Sequence, residues 1–262
     1  MFEFINYGTE QLQIFLMLLI RATGLFLAAP IFGHQTVPTQ IKVGLVILLS
    51  LVTLPTLPGV HMAVVTSHWE LAALAIRELL VGALIGYAYR MLFFAAEFAG
   101  MMAGYQVGLA VSQAFDPTSG DEVSIIGRFW LMMATLIFLA LNGHHMIIQA
   151  FHQSYQAVGP GELATAGATG EFFIKLTAYA FVLAVKIVAP VLVTLVLMDV
   201  ALGTVAKVMP TMNIFIVGFP LKIGMGLLVV ALSLPAFAYV LEKSTHYLND
   251  AVNGLLASMG KA

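Results

Sequence analysis

Arg21, Arg77, Glu78, Arg90, Glu97, Arg128, Lys175, Lys186, Asp199 and Lys222 all stand in or beside long apolar runs. A charge at the centre of a bilayer costs at least about 2.5–3.5 kcal/mol on the translocon scale, so each needs a compensating environment. Three chemistries suit them: pairing inside a protein assembly, lining a polar path, or relaying protons through Glu78, Glu97 or Asp199. Arg77, Lys186, Asp199 and Lys222 are the candidates for charges buried away from water. Asn142-Gly143-His144-His145 is the one histidine-rich stretch inside an apolar run. Adjacent histidines on a helix point about 100° apart and chelate poorly, so local hydrogen bonding at a glycine break is expected there and no metal. The chain shows no phosphate-binding glycine loop, no nucleophile elbow, no H-E-x-x-H and no paired carboxylates. No enzyme activity and no cofactor are expected.

A second pattern surrounds the charges. Glu78, Gly82, Gly86 and Arg90 follow one another at intervals of four, and Gly100, Gly104 and Gly108 do so again. On a continuous helix these seven and Glu97 share an arc of about 120°. Small residues at this spacing let helix backbones approach closely in lipid. The stripe is either internal packing or a face for other subunits, and glycine spacing alone does not choose between them.

The elements that must hold these residues are set by composition. The chain is 61% hydrophobic and 9% charged, with mean hydropathy +0.99. That excludes an ordinary soluble domain and predicts an integral membrane protein of the all-α class, built of helical hairpins with kinked helices. Formal net charge is −2 with no basic tail, which argues against nucleic acid as a partner. There is no cysteine. The apolar segments are 12–31, 42–66, 71–111, 123–150, 172–202 and 212–241. The third would reach about 60 Å as a helix, so it must bend, fold as a hairpin or rise out of the bilayer. Pro55, Pro58, Pro190, Pro220 and Pro235 interrupt the others, as kinks that packed neighbours must accommodate. Residues 152–171, rich in Gly and Ala, read as a linker between an N-terminal domain, 1–160, and a C-terminal one, 161–262. The linker lacks Lys and Arg and is expected outside, with Lys207 and Lys243 on the cytoplasmic side.

Residues 107–120, V-G-L-A-V-S-Q-A-F-D-P-T-S-G, leave the third apolar run through small and polar residues. Non-helical backbone at membrane depth is tolerated only where protein or a water-filled path surrounds it, so this loop is expected to point inward.

These residues also carry a resemblance that covers essentially the whole chain. Ala29-Pro30 with Phe32 and Pro38, Arg77-Glu78, Glu97-Phe98-Ala99-Gly100, the stretch from Gly104 to Pro117, and Asn142-Gly143-His144 appear in order. Lys186 to Pro190, Asp199 to Gly203, Pro210 to Phe215 and Gly218 to Lys222 follow. Together they resemble the FliR family of flagellar biosynthesis proteins of the type III export apparatus.

The resemblance implies a pore-forming component of the flagellar export gate that passes unfolded substrates across the bacterial inner membrane. It implies a closed helical assembly with about five copies of FliP and about four of FliQ, with FlhB at its entrance, FlhA nearby and membrane lipid around it. Residues 1–160 would be FliP-like and residues 161–262 a FliQ-like hairpin. Much of the assembly would lie on the periplasmic side, within the flagellar basal body. The segment matching 106–122 would loop into the channel and plug it, with Leu109, Val111, Phe115, Asp116 and Pro117 as its members here. The equivalent component of a virulence injectisome is the alternative. A proton-coupled secondary transporter is a more distant one.

Overall fold

The computed structural model describes residues 2–33, 37–57, 65, 67–108, 124–160, 166–211 and 213–259. Pro58 and the plug residues Leu109, Val111, Phe115, Asp116 and Pro117 lie outside the described residues. Every regular element among the described residues is a helix, as the apolar runs predict. The order is α1 (Phe2–Ala28), α2 (Thr39–Thr53) with a 3-10 turn (Leu54–Thr56), α3 (His68–Val107), α4 (Ile125–Ala140), α5 (Gly143–Ala157), α6 (Ala166–Val208) and α7 (Ile214–Met259). Among the described residues five helices are long and apolar enough to cross a membrane, or six when the bent pair α4 and α5 counts as one span.

The third apolar run neither breaks nor forms a hairpin. It is one helix of 40 residues, about 60 Å long and twice the hydrocarbon thickness. The expected interruptions fall differently from the prolines. Pro55 ends α2 in its 3-10 turn, whereas Pro190 sits inside α6 and Pro220 and Pro235 sit inside α7. The sharp break is at Asn142. There the run expected as one segment becomes two helices bent by 66°. Asn142 has φ 57° and ψ 29°, the left-handed conformation that asparagine tolerates better than most side chains. Its carbonyl accepts from His145 and Met146 N–H and so opens α5. Asparagine, not the neighbouring glycine, makes the turn.

The linker is shorter than 152–171. Helix α5 runs to Ala157 and α6 begins at Ala166.

Contacts group the chain into two compact units that cut across its order. The first takes Met1–Met91, Asn142–Leu176 and Thr245–Ala262. Its core holds Leu18, Leu25, Ile85, Tyr89, Phe151 and Leu248. Helix α2 packs on α1 and buries only Val46, Ser50 and Thr53. Both hydroxyls donate to carbonyls one turn back, at 2.8 and 2.7 Å, so neither is left wanting. The second unit takes Leu92–Leu141 and Thr177–Ser244. Its core pairs Phe93 with Phe138 edge to face and stacks Trp130 on Phe237, with centroids 5.2 and 5.6 Å apart.

Replacing Asn142 tests the bend. Asn142→Gly should leave the thermal midpoint of the detergent-solubilised chain unchanged. Asn142→Val should cost about 1–2 kcal/mol, because a β-branched side chain resists the left-handed region. Equal midpoints for both would show that the left-handed turn is not needed.

Candidate functional site

The most completely buried charges lie in the first unit and pair with each other. Arg21 of α1 and Glu78 of α3 are 0% and 1% exposed. The guanidinium grips the carboxylate with two bonds, Nε to Oε2 at 2.6 Å and Nη2 to Oε1 at 3.0 Å. Nη1 donates to Ser154 Oγ at 3.0 Å. Nη1 and Nη2 both donate to the Val158 carbonyl at 3.3 Å. All five N–H donors of the arginine thus have partners. Val158 caps the C-terminus of α5, where helix carbonyls have no partner within the helix and the helix dipole favours a cation. The Tyr155 hydroxyl lies 3.1 Å from Glu78 Oε2 and 3.2 Å from the Met17 carbonyl and can donate to either. Its ring lies beneath the guanidinium, 3.6 Å from Cζ to centroid. One residue pair therefore ties α1, α3 and α5 together.

Glycines bring that pair within reach. The near side of Gly82 meets the Arg21 carbonyl, and that of Gly24 meets the Leu79 carbonyl. A Cβ on Gly86 would lie 2.7 Å from the Leu25 carbonyl and 2.8 Å from Ala28 Cβ. Any larger residue would push α1 away from α3 and pull the ion pair apart.

In the second unit the same device recurs between α3 and α4. A Cβ on Gly100 would lie 2.5 Å from Gly127 Cα, and Gly104 faces the Ser124 hydroxyl. Ser124 is the N-cap of α4, and its hydroxyl donates to the Gly100 carbonyl at 3.3 Å. So Gly82, Gly86, Gly100 and Gly104 are filled by this chain's own helices. Of the two readings of the stripe, the internal one fits the geometry, and the stripe does not offer these glycines to another subunit. Arg90, on the same stripe, is exposed, and Glu97 is half-buried.

A polar cluster marks the end of α3. Asp199 of α6 takes Lys222 of α7 at 2.8 Å, and its Oδ2 accepts from Gln106 Nε2 at 3.1 Å. One carboxylate links three helices just before Gly108. Gly108 turns with φ 93°, open to glycine and poorly to other residues. A Cβ there would press on the Phe219 ring at 3.2 Å.

The four residues expected as buried charges are placed otherwise. The Asp199 side chain is 43% exposed and that of Lys222 19% exposed. Arg77 is half-buried and Lys186 exposed. The deeply buried pair, Arg21 with Glu78, has its signal in the sequence: opposite charges inside two apolar runs, one of them at the head of a glycine series. What spacing does not carry is which run packs on which. Tyr155, Ser154 and Gln106 left no pattern to find. The His144 and His145 rings lie tilted against each other, with centroids 4.2 Å apart. Among the described residues no group of three His, Cys, Asp or Glu side chains could hold a metal.

Two sets of substitutions separate the ion pairs. Glu78→Gln leaves the Arg21 charge buried without its counter-ion and should cost about 3–5 kcal/mol of stability. Arg21→Leu combined with Glu78→Leu should recover most of that loss, read as a double-mutant cycle of thermal midpoints. Strict additivity would show that the pair does not couple. Asp199→Asn should cost no more than about 1 kcal/mol in the chain alone, because water screens a partly exposed pair. Gly82→Leu should lower the amount of folded chain in membranes without any partner present. A normal level would show that the close approach of α1 to α3 is dispensable.

Comparison with known proteins finds similarity over nearly the full length. The family described as "Bacterial export proteins, family 1" matches residues 12–248. The chain is 30% identical over 249 residues to the flagellar biosynthetic protein FliR of Bacillus subtilis (strain 168), covering 94% of this chain and 95% of that one. It is 30% identical over 253 residues to the FliR of Pectobacterium carotovorum subsp. carotovorum, covering 93% and 92%. With the FliR of Escherichia coli (strain K12) it shares 28% over 254 residues, covering 95% and 93%. A glycine-packed, charge-bearing helical membrane chain, matched from its first helix to its last, thus belongs to family 1 of the bacterial export proteins and, within it, to the FliR components of the flagellar export apparatus.

Proposed function

We propose that the chain is a non-enzymatic, pore-forming core subunit of the flagellar export gate, through which unfolded flagellar substrates cross the bacterial inner membrane. The observation that carries this reading is the end of α3. A close-packed helix reaches Gly108, takes a left-handed turn, and enters residues 109–123 beside Phe219 and the Gln106–Asp199–Lys222 cluster. Three helices meet at the departure point of that segment. Leu109, Val111 and Phe115 are apolar side chains suited to sealing a narrow pore.

The partners under this reading are FliP-type and FliQ-type subunits, about five and about four copies, with FlhB and FlhA at the cytoplasmic entrance. They cover apolar helix faces that a lone chain leaves open. Much of the assembly sits on the periplasmic side of the inner membrane, within the basal body. Energy comes from other components and from the proton gradient, so no residue here needs a catalytic role. Flagellar rather than virulence secretion follows from the relatives, each a flagellar biosynthetic protein by name.

Shortening the loop tests the role. Deleting 109–115 should let the assembled gate leak ions or small molecules across a membrane, measured as dye or ion flux. Unchanged flux, with assembly confirmed, contradicts a plug.

A further inference from the structure

Helix α6 has two unlike faces in the second unit. Ala180, Leu183, Ile187, Val191 and Leu195 are buried against the chain's own core. On the opposite side Val182, Lys186, Val193, Leu197 and Val200 fall within an arc of about 60°. The four apolar members are each between 50% and 65% exposed, and Lys186 is exposed among them.

Lys186 is the single charged residue between Lys175 and Asp199. It stands about 16 Å along the helix from the first and about 20 Å from the second. The flanking charges have partners, Lys175 with Glu171 at 2.6 Å and Asp199 with Lys222 at 2.8 Å. Among the described residues no carboxylate pairs with Lys186.

Three surroundings are open to such a face. Lipid spanning the apolar stretch between those flanking charges would strand the ammonium near its middle, where a four-carbon stem falls short of either end. Water would meet exposed valines and a leucine above and below the lysine on the same stripe. A protein surface that is apolar along its length and acidic at one level satisfies both. We propose that this face of α6 docks an apolar helix of a neighbouring subunit that carries one carboxylate level with Lys186. The pair then fixes the depth and register of the two helices more than it adds affinity. The proposal rests on the chain being an assembly component, and it names the face and the chemistry of contact.

The test uses the full chain co-expressed with its FliP-type and FliQ-type partners, purified through a tag on this chain. Partner recovery, chain level in membranes, and carbodiimide cross-links at Lys186 are measured. Wild type should yield an amide between Lys186 and an acidic residue of another subunit. Lys186→Arg should keep partner recovery within about twofold, and Lys186→Glu should lower it at least about tenfold, since two carboxylates then face each other in an apolar contact. Exchanging the cross-linked acid for lysine should restore recovery with Lys186→Glu. The level of Lys186→Glu expressed alone should match wild type; a fall would place the lysine in the chain's own fold and overturn the proposal. A wild-type complex without the cross-link, or full recovery with Lys186→Glu, overturns it too. A wild-type chain that recovers no partner at all instead removes the assembly reading on which it stands.

Discussion

The pairing of Arg21 with Glu78 is the constraint on which the first unit depends. Both charges are fully removed from solvent, and each alone would be costly in an apolar interior. The cost is offset because every guanidinium N–H has an acceptor and one of those acceptors is the terminal carbonyl of α5. That geometry requires the backbones of α1 and α3 to lie closer than side chains normally allow. Gly24, Gly82 and Gly86 provide the clearance. Charge, glycine and helix terminus are therefore members of one device, and changing one of them strains the other two.

The second unit solves a related problem with less burial. Gly100 and Gly104 bring α3 against the N-cap of α4. Asp199 then joins α3, α6 and α7 through Gln106 and Lys222. This cluster is partly open to solvent, so it steers the helix ends more than it stabilises them. Its place beside Gly108 is what gives it functional weight, because the chain there leaves helical structure.

Much of this was legible in the residues. Composition and the length of the apolar runs together set an all-helical membrane chain, since hydrocarbon demands internal backbone hydrogen bonding and a run of about 20 apolar residues meets that demand as a helix. The four-residue glycine spacing announced a close-packing face, although spacing could not say against what. The identity of the Arg21–Glu78 pair was not legible, because 57 residues separate its members and local periodicity holds no information on which helices meet. The 66° bend was hidden for a different reason. The glycine break at Asn142-Gly143 was visible in the residues, but a tolerated left-handed asparagine gives no measure of how sharply the two helices diverge. Asp199 and Lys222 were recognised as charges in apolar surroundings, but not as each other's partner or as partly exposed. Length alone narrowed one case without deciding it. The run 71–111 left a bend, a hairpin or a rise out of the bilayer open, and one helix longer than a bilayer is thick leaves the last of these.

A helix of that length, with exposed apolar faces on α2, α6 and α7, leaves apolar surface that lipid or other subunits must cover. The central claim is that this chain is a single member of a hetero-oligomeric gate, its outer faces covered by other subunits. Native mass spectrometry of the complex purified from membranes through a tag on this chain tests it most directly. The account predicts a large hetero-oligomer containing one copy of this chain. A monomer, or an assembly of this chain alone, would contradict it.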